Sequence, residues 1–185
     1  DVKSFDFKKI DAFTDGASSG NPAGCVYIPE NEDISEDEMQ KLAAQMKGFV
    51  NETAFMTQTR GEIRLRYYSS ECEVAFCGHA TIAVMHNFIK ISPDWADLEE
   101  IPIRINAGVI SVLNRIREED AVYILAPPPA FCLCSIDISE ADRLVFGGND
   151  QIDANKPIHI IDAGLRTLIL PAASPDACLE SAPDF

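Results

Sequence analysis

Short apolar stretches alternate with polar turns along the first third of the chain, a pattern typical of strands. Residues 5–13 and 25–28 predict two strands, and the turn-forming residues 14–24 between them predict a loop. Residues 50–68 predict a hairpin with its turn near Gly61, because apolar and polar positions alternate in the return strand. This alternation is what a strand with one buried face requires.

Two segments of the same region have a helical pattern instead. Residues 35–46 repeat apolar positions at helical spacing, and Ser35 with Glu38 three residues later forms a capping box. A second helix, of about 10 to 12 residues, is predicted after Gly78. Its side chains are apolar or small on nearly every side. A helix that is hydrophobic all round is buried, so we expect a curved sheet to wrap around it.

Prolines separate this region from the rest of the chain. Residues 101–126 predict a meander of strands, and Pro127 to Pro129 mark a boundary because three prolines cannot continue a central strand. We therefore expect a first domain over residues 1–126. A linker and a second, incomplete domain are expected over residues 127–185.

The second region weakly repeats the first. Ile138-Ser139-Glu140 echoes Ile34-Ser35-Glu36, and a strand follows in both copies. Ser139 with Asp142 three residues later predicts the start of another helix, which the glycines at 147 and 148 end. The echo indicates an internal duplication whose second copy is incomplete.

Composition narrows the class of protein and of partner. Of 185 residues, 46% are hydrophobic and 24% are charged, as in folded globular chains. The net charge of −15 repels phosphate backbones and anionic headgroups, so we expect neither a nucleic acid nor a membrane as partner. No apolar run approaches the roughly 18 residues of a transmembrane helix. The N-terminus has no signal-peptide pattern.

The six cysteines lack the spacing of a disulfide framework, and several lie in apolar runs. We interpret them as reduced thiols and expect a cytoplasmic protein. They also lack the paired spacing of a structural zinc site, so we expect no metal. The sequence contains no glycine-rich nucleotide motif and no Gly-x-Ser-x-Gly elbow. The cysteines are Cys25, Cys72, Cys77, Cys132, Cys134 and Cys178.

Three residues are suited to proton transfer. His79 follows Gly78 at a strand-to-helix junction, where free amides favour a carboxylate and an imidazole can move a proton. For His79 taken alone, a residue that simply caps the helix is the alternative we favour. Glu52 suits acid/base chemistry if it faces a cleft, and is otherwise an ordinary strand carboxylate. The helix start would lower the pKa of the Cys77 thiol, although a buried Cys that fills space under the helix is the alternative we favour.

These residues lie in two of three short segments that follow one another along the chain. In order and spacing the segments resemble the PhzF family of phenazine-biosynthesis-like isomerases, whose relatives include diaminopimelate epimerase and proline racemase. The resemblance is strongest within residues 11–90. The segments are Gly20-Asn21-Pro22-Ala23-Gly24, Asn51-Glu52-Thr53-Ala54-Phe55 and Glu73-Val74-Ala75-Phe76-Cys77-Gly78-His79-Ala80-Thr81.

The resemblance implies an α+β, diaminopimelate epimerase-like fold of two similar halves. In each half, a mixed curved sheet surrounds a central buried helix, and the active site lies between the halves. The implied function is an isomerase that moves a proton at carbon in a small carboxylate-bearing metabolite. No cofactor is expected, and a homodimer is expected.

The family's site residues fall on defined positions of this sequence. The acid/base glutamate corresponds to Glu52, and the Gly-His pair beside the substrate corresponds to Gly78 and His79. Cys77 lies where the epimerase relatives keep a catalytic thiol, a role that the glutamate takes in the PhzF-like branch. We therefore keep Cys77 as a minor candidate, and we expect Asn21 to shape the cleft.

One part of the family pattern is missing. The family's second half carries an acidic Asp-Pro-Ala-Thr-Gly-Ser stretch that this sequence lacks. We therefore expect a C-terminally truncated member with half of its cleft absent. A site that is open to water loses rate, and exposed strand edges promote association. We expect this chain alone to be weakly active or inactive, and prone to self-association. The alternative is a non-catalytic binding or dimerisation module that retains half of the scaffold.

Overall fold

The computed structural model describes residues 3–59, 61–126, 128–132 and 136–183. Pro127 of the predicted boundary and Cys134 lie outside these residues. The chain divides into unit 1, Asp1–Pro127, and unit 2, Pro128–Phe185. Within the described ranges, no helix combines the length and the hydropathy that crossing a bilayer requires.

Unit 1 contains eight strands and four helices among its described residues. In chain order they are β1 (Asp6–Ala12), β2 (Asn21–Ile28), α1 (Glu36–Gln45), β3 (Glu52–Thr59), β4 (Glu62–Ser69), β5 (Glu73–Val74), α2 (Gly78–Ile91), α3 (Pro93–Ala96), β6 (Glu100–Ile105), β7 (Gly108–Arg115), α4 (Ile116–Glu119) and β8 (Ala121–Ile124).

The strands of unit 1 form a mixed sheet in the order β1-β2-β3-β4-β6-β7-β8, with β5 added to β4. The β2–β3 and β4–β6 pairs are parallel, and the other pairs are antiparallel. Parallel neighbours need a long crossover, which α1 provides for the first pair and α2 with α3 for the second. The sheet curves around α2, which contacts β1, β2, β3 and β8.

Helix α2 is the centre of the core. Its buried residues and the apolar residues on the concave face of the sheet form one group, which we call the inner cluster. Full burial of one large apolar side chain contributes about 1.5–3 kcal/mol. Because α2 lies in the inner cluster and contacts strands from both ends of the sheet, the prediction of a buried helix wrapped by a curved sheet is confirmed. The helix has 14 residues rather than the expected 10 to 12, and it ends where Ser92 precedes Pro93. The inner cluster includes Ala54, Met56, Leu65, Tyr67, Ala80, Ala83, Val84, Met85, Phe88, Ile89, Ile103 and Val112.

Helix α1 packs on the opposite, convex face of the sheet. Its predicted capping box is confirmed, because Ser35 Oγ accepts from Glu38 N–H while the Glu38 carboxylate accepts from Ser35 N–H. Strand β3 alternates between the two faces: Ala54 belongs to the inner cluster and Phe55 to the outer cluster. The outer cluster is Val26, Ile28, Ile34, Met39, Ala43, Phe55 and Tyr68, with Phe5 and Leu42 against it.

The prediction of a loop through residue 24 is wrong at its end, because β2 begins at Asn21. Asn21 to Gly24 pair with β1, and from Ala23 onward β2 also pairs with β3. Pro22 precedes the start of that second ladder, so its missing N–H is not needed there. Ala23 is fully buried between the neighbouring strands. Pairing on both sides therefore outweighs the local turn preference of this segment.

The elements of unit 2 are β9 (Ala130–Cys132), α5 (Ile138–Phe146), β10 (His159–Asp162), β11 (Arg166–Ile169) and α6 (Pro175–Leu179). The strands form a small antiparallel sheet in the order β11-β10-β9. Helix α5 has Asp137 as its N-cap, whose carboxylate accepts from the Ser139 and Glu140 amides. The predicted start at Ser139 is therefore wrong by two residues, because Asp137 caps the helix. Gly147 ends the helix with a φ of 74°, as predicted.

Candidate functional site

Glu52 is the first residue of β3, and it faces the start of α2. In the sheet it pairs with Ala23 of β2 and with Ser69 of β4. Its side chain is 29% exposed, and Oε2 lies 3.4 Å from Nε2 of His79. The carboxylate is thus held by a central strand and is still open to solvent. A group that moves a proton to and from a bound molecule needs both properties.

His79 is the second residue of α2, after Gly78, and its side chain is 11% exposed. Nδ1 lies 3.4 Å from Sγ of Cys77, the N-cap of the helix. Nε2 is buried, and its approach to Glu52 does not meet hydrogen-bond geometry, so it has no hydrogen-bond partner among the described residues. The imidazole therefore lies between a thiol on one side and a carboxylate on the other.

Two buried hydroxyls fix the start of α2 against the sheet. The hydroxyl of Thr81 donates to the Cys77 carbonyl at 2.7 Å. Its oxygen lies 2.7 Å from the Tyr67 hydroxyl of β4, which completes the chain by donating to it. Burial raises the pKa of Tyr67, so the phenol remains a donor. Thr81 and Tyr67 were not predicted from the sequence to take part in the site. The spacing of Thr81 four residues after Cys77 is the usual one for a side chain that bonds back to a helix carbonyl.

The Cys77 thiol is buried beneath the helix start and, like the other four cysteines that the structure describes, is free. Burial raises the pKa of the thiol to about 11, and the nearby Glu52 carboxylate adds to the effect. The Ala80 amide at the helix start lowers the pKa but is outweighed. The helix start therefore does not leave the thiol with a lowered pKa, and the interpretation favoured from the sequence, a buried Cys beneath the helix, agrees with its burial. At neutral pH the group is a thiol, not a thiolate.

Glu52, Cys77 and His79 each offer one atom that a metal could bind, and these atoms lie within 4.8 Å of one another. A structural zinc site uses four ligands, and a catalytic site points three at one centre. Here the thiol and the carboxylate lie at opposite nitrogens of the ring. The imidazole bridges the two groups instead of sharing a centre with them. The expectation of a metal-free site stays a prediction.

Gly78 and Asn21 frame the same end of the sheet. A Cβ on Gly78 would lie in ordinary van der Waals contact with the Phe76 ring, at 3.8 Å, so a small side chain would fit there without a clash. The first α-helical hydrogen bond of α2 runs from Thr81 N–H to the Cys77 carbonyl, and the earlier amides have no intrahelical partner. Such amides suit a carboxylate. Asn21 is exposed at the start of β2, on the face that it shares with buried Ala23.

Comparison with known proteins finds a matching family and matching folds. The family model described as phenazine biosynthesis-like protein, PhzC-PhzF, matches residues 10–185. The uncharacterized isomerase YfhB of Bacillus subtilis is 30% identical over 187 residues, which cover 99% of this chain and 61% of the relative. This chain thus spans less than two thirds of that relative's length.

Solved structures resemble the chain over nearly all of its length. A PhzF-family phenazine biosynthesis protein from Bacillus anthracis matches with a TM-score of 0.69 and 24% identity, over 99% of this chain and 60% of that one. A Pseudomonas aeruginosa protein described as a predicted epimerase matches with a TM-score of 0.71 and 14% identity, over 98% and 64%. The expected α+β, diaminopimelate epimerase-like fold class is confirmed.

Proposed function

The chain belongs to the family of phenazine biosynthesis-like proteins, and we propose that it acts as an isomerase that moves a proton at carbon in a small carboxylate-bearing metabolite. The observation that carries this proposal is the 3.4 Å approach of Glu52 Oε2 to His79 Nε2 at the start of the buried helix α2. The name of the Bacillus subtilis relative, an uncharacterized isomerase, supports the same reaction class.

Glu52 is proposed as the group that takes and returns the proton. Its carboxylate is anchored by pairing on both sides of β3, and its side chain is partly open to solvent. A bound molecule can therefore place an acidic C–H within hydrogen-bond distance of the carboxylate. Abstraction on one side and return on another would isomerise the substrate without any other reagent. No cofactor is required for such a step.

Gly78 and His79 are proposed to hold the substrate. The amides of Gly78 and His79 open α2 and have no intrahelical partner, and amides in that position suit a carboxylate group. Loss of a proton next to a carboxylate leaves negative charge on the substrate. His79 Nε2 is buried with no other hydrogen-bond partner among the described residues, so it is placed to stabilise that charge. Asn21 is proposed to line the same space.

Replacement of Glu52 by Gln tests this function. We expect wild-type chain in deuterium oxide to exchange the hydrogen beside the carboxylate of at least one member of a panel of amino, hydroxy and unsaturated acids. Glu52→Gln removes the base and should slow exchange by at least about 100-fold, the usual contribution of a positioned acid or base. Proton NMR of the panel measures the rate. Glu62→Gln, the same change at the exposed start of neighbouring β4, is the control and should exchange normally.

Two results would count against the proposal. A folded Glu52→Gln variant that exchanges at the wild-type rate would show that another group moves the proton. If wild-type chain bound members of the panel and exchanged none of them, the chain would instead be a binding module built on this scaffold.

A further inference from the structure

We propose that Cys77 is a positioning residue for His79: its thiol donates to Nδ1 and so keeps the proton of the neutral ring on Nε2, the nitrogen that faces Glu52. This inference rests on the proposed function, and it assigns Cys77 a role other than taking a proton from substrate.

The imidazole ring of His79 has a different neighbour at each of its two nitrogens. Sγ of Cys77 lies 3.4 Å from Nδ1, and Oε2 of Glu52 lies 3.4 Å from Nε2. One nitrogen of a neutral imidazole carries the proton and the other accepts. The partner of one nitrogen therefore decides the state of the other. Cys77 contacts one end of the ring and determines what the other end presents to Glu52 and to a substrate.

The Cys77 thiol is the hydrogen-bond donor to Nδ1 of His79. Burial keeps Cys77 protonated at neutral pH, so the thiol has a hydrogen to donate. The side chain of Cys77 does not cap α2, although the residue occupies the N-cap position. Its backbone is fixed, because its carbonyl accepts from Thr81, which in turn bonds Tyr67. The thiol is therefore held beside the ring by groups that are themselves fully buried.

At the opposite end of the ring, Nε2 of His79 faces the Glu52 carboxylate. A lone pair on Nε2 would face the negatively charged Glu52 oxygen, whereas an N–H there faces it favourably. The carboxylate thus favours the same tautomer as the thiol. Nε2 has no hydrogen-bond partner among the described residues, so its N–H can donate a hydrogen bond to negative charge that develops on a substrate.

The test is nitrogen NMR of the histidine rings in the full chain at about pH 8, above the usual pKa range of histidine. We expect Nδ1 of His79 to give the signal of an unprotonated ring nitrogen and Nε2 that of an N–H. A protonated Nδ1, in the other tautomer or in the imidazolium, would overturn the proposal. This measurement needs no variant and no substrate.

Variants separate the thiol's effect from that of the carboxylate. In Glu52→Ala the thiol alone should still hold a single tautomer, whereas Glu52→Ala with Cys77→Ala should give a mixture. Cys77→Ser keeps a donor and should retain the wild-type signal of Nδ1. Cys25→Ala removes another buried thiol of unit 1 and should leave the His79 signals unchanged. Identical mixtures in Glu52→Ala and in the double variant would overturn the proposal.

The two proposals can fail separately. If His79 shows the expected tautomer and no acid of the panel exchanges the hydrogen beside its carboxylate, the role of Cys77 in fixing the tautomer of His79 stands and the isomerase function fails. If exchange occurs and Nδ1 of His79 carries a proton, the isomerase function stands and the role of Cys77 fails.

Discussion

At Gly24 the backbone of β2 lies close to the side chain of Thr53 in β3. A Cβ built there would lie 2.7 Å from Thr53 Oγ1 and 3.1 Å from the Phe7 ring. Thr53 is β-branched and 1% exposed, so it cannot swing aside. The lack of a side chain at residue 24 is therefore what allows β2 to pair beside the strand that carries Glu52.

Replacement of Gly24 by Ala should lower the free energy of unfolding by about 1–3 kcal/mol, the usual cost of overpacking. Urea unfolding followed by circular dichroism measures the loss. Gly78→Ala is the control, because its Cβ would meet nothing closer than 3.8 Å. The control should change stability by no more than about 1 kcal/mol. Equal losses in both variants would show that crowding at Gly24 is not the cause.

At the scale of single residues, the side chains suited to proton transfer were easier to predict than the contacts between them. Glu52 and His79 were identified as candidates because few side chain types move protons. Their approach to each other could not be predicted, because it depends on how β3 and α2 meet in the closed sheet. Thr81 and Tyr67 were missed for the same reason, since a hydroxyl becomes structural only when its buried partner is known. The raised pKa of Cys77 also depends on burial that sequence does not report.

Helix α1 shows how a local pattern determines an element and its response to pH. The Glu38 carboxylate accepts from the Ser35 amide and from Lys3, and these bonds lower its pKa from 4.5 to about 2. A carboxyl whose pKa is lower in the folded state stabilises that state above its unfolded pKa. Its contribution is lost as the pH falls from 4.5 towards 2.

Glu38→Gln should therefore weaken the pH dependence of stability in this acid range. Wild type should lose more stability than the variant between pH 4.5 and about 2.5, because only wild type must protonate a bonded carboxylate on unfolding. Urea midpoints at several pH values measure the difference. Asp37→Asn removes a carboxylate from the same helix turn, outside the capping box, and is the control. Parallel curves for wild type and Glu38→Gln would contradict this account.

At the scale of elements, prediction succeeded where the deciding interaction is local. The capping box of α1 and the β3–β4 hairpin depend on neighbours in sequence. The start of β2 depends on two ladders with other strands, and it was placed too late. The start of α5 was misplaced because Asp137 competes with Ser139 as the cap. The periodic pattern of apolar residues shows neither which distant segments pair nor which of two possible residues caps a helix.

The whole molecule carries a net charge of −15, which acts on stability as well as on partners. Like charges repel one another more in the compact state than in the expanded one, so self-repulsion favours unfolding. Salt shortens the range of this repulsion from about 30 Å at 0.01 M to about 8 Å at 0.15 M. Surface ion pairs are screened too, but each contributes at most about 1 kcal/mol.

We expect the melting temperature to rise by several degrees between about 10 mM and 150 mM sodium chloride at neutral pH. Thermal unfolding followed by circular dichroism measures it. The same chain provides its own control, because its net charge shrinks as the pH falls towards the sequence pI of 4.4. The salt-induced rise should shrink with it. A melting temperature that falls with salt at neutral pH would mean that favourable ion pairs outweigh the repulsion.

At the scale of the whole molecule, one feature of the sequence was enough to predict how the core of unit 1 is built, and the family resemblance supplied the fold class. A helix without a polar face has to be enclosed, and α2 is enclosed by a curved sheet. The parallel pairs β2–β3 and β4–β6 could not be predicted, because the apolar pattern of a strand does not indicate which strand pairs with it. The expected homodimer and cytoplasmic location remain predictions, as does the division at residue 126.

The alternation of β3 between the two clusters has a consequence for how this protein can evolve. Substitutions of Phe55 or of its partners in the outer cluster change packing under α1 and leave the face of Glu52 as it is. An insertion or deletion of one residue inside the strand would turn Glu52 towards the outer cluster and Thr53 towards α2. Descendants of this chain can therefore vary the composition of β3 widely, while its length from Glu52 onward is fixed by the site.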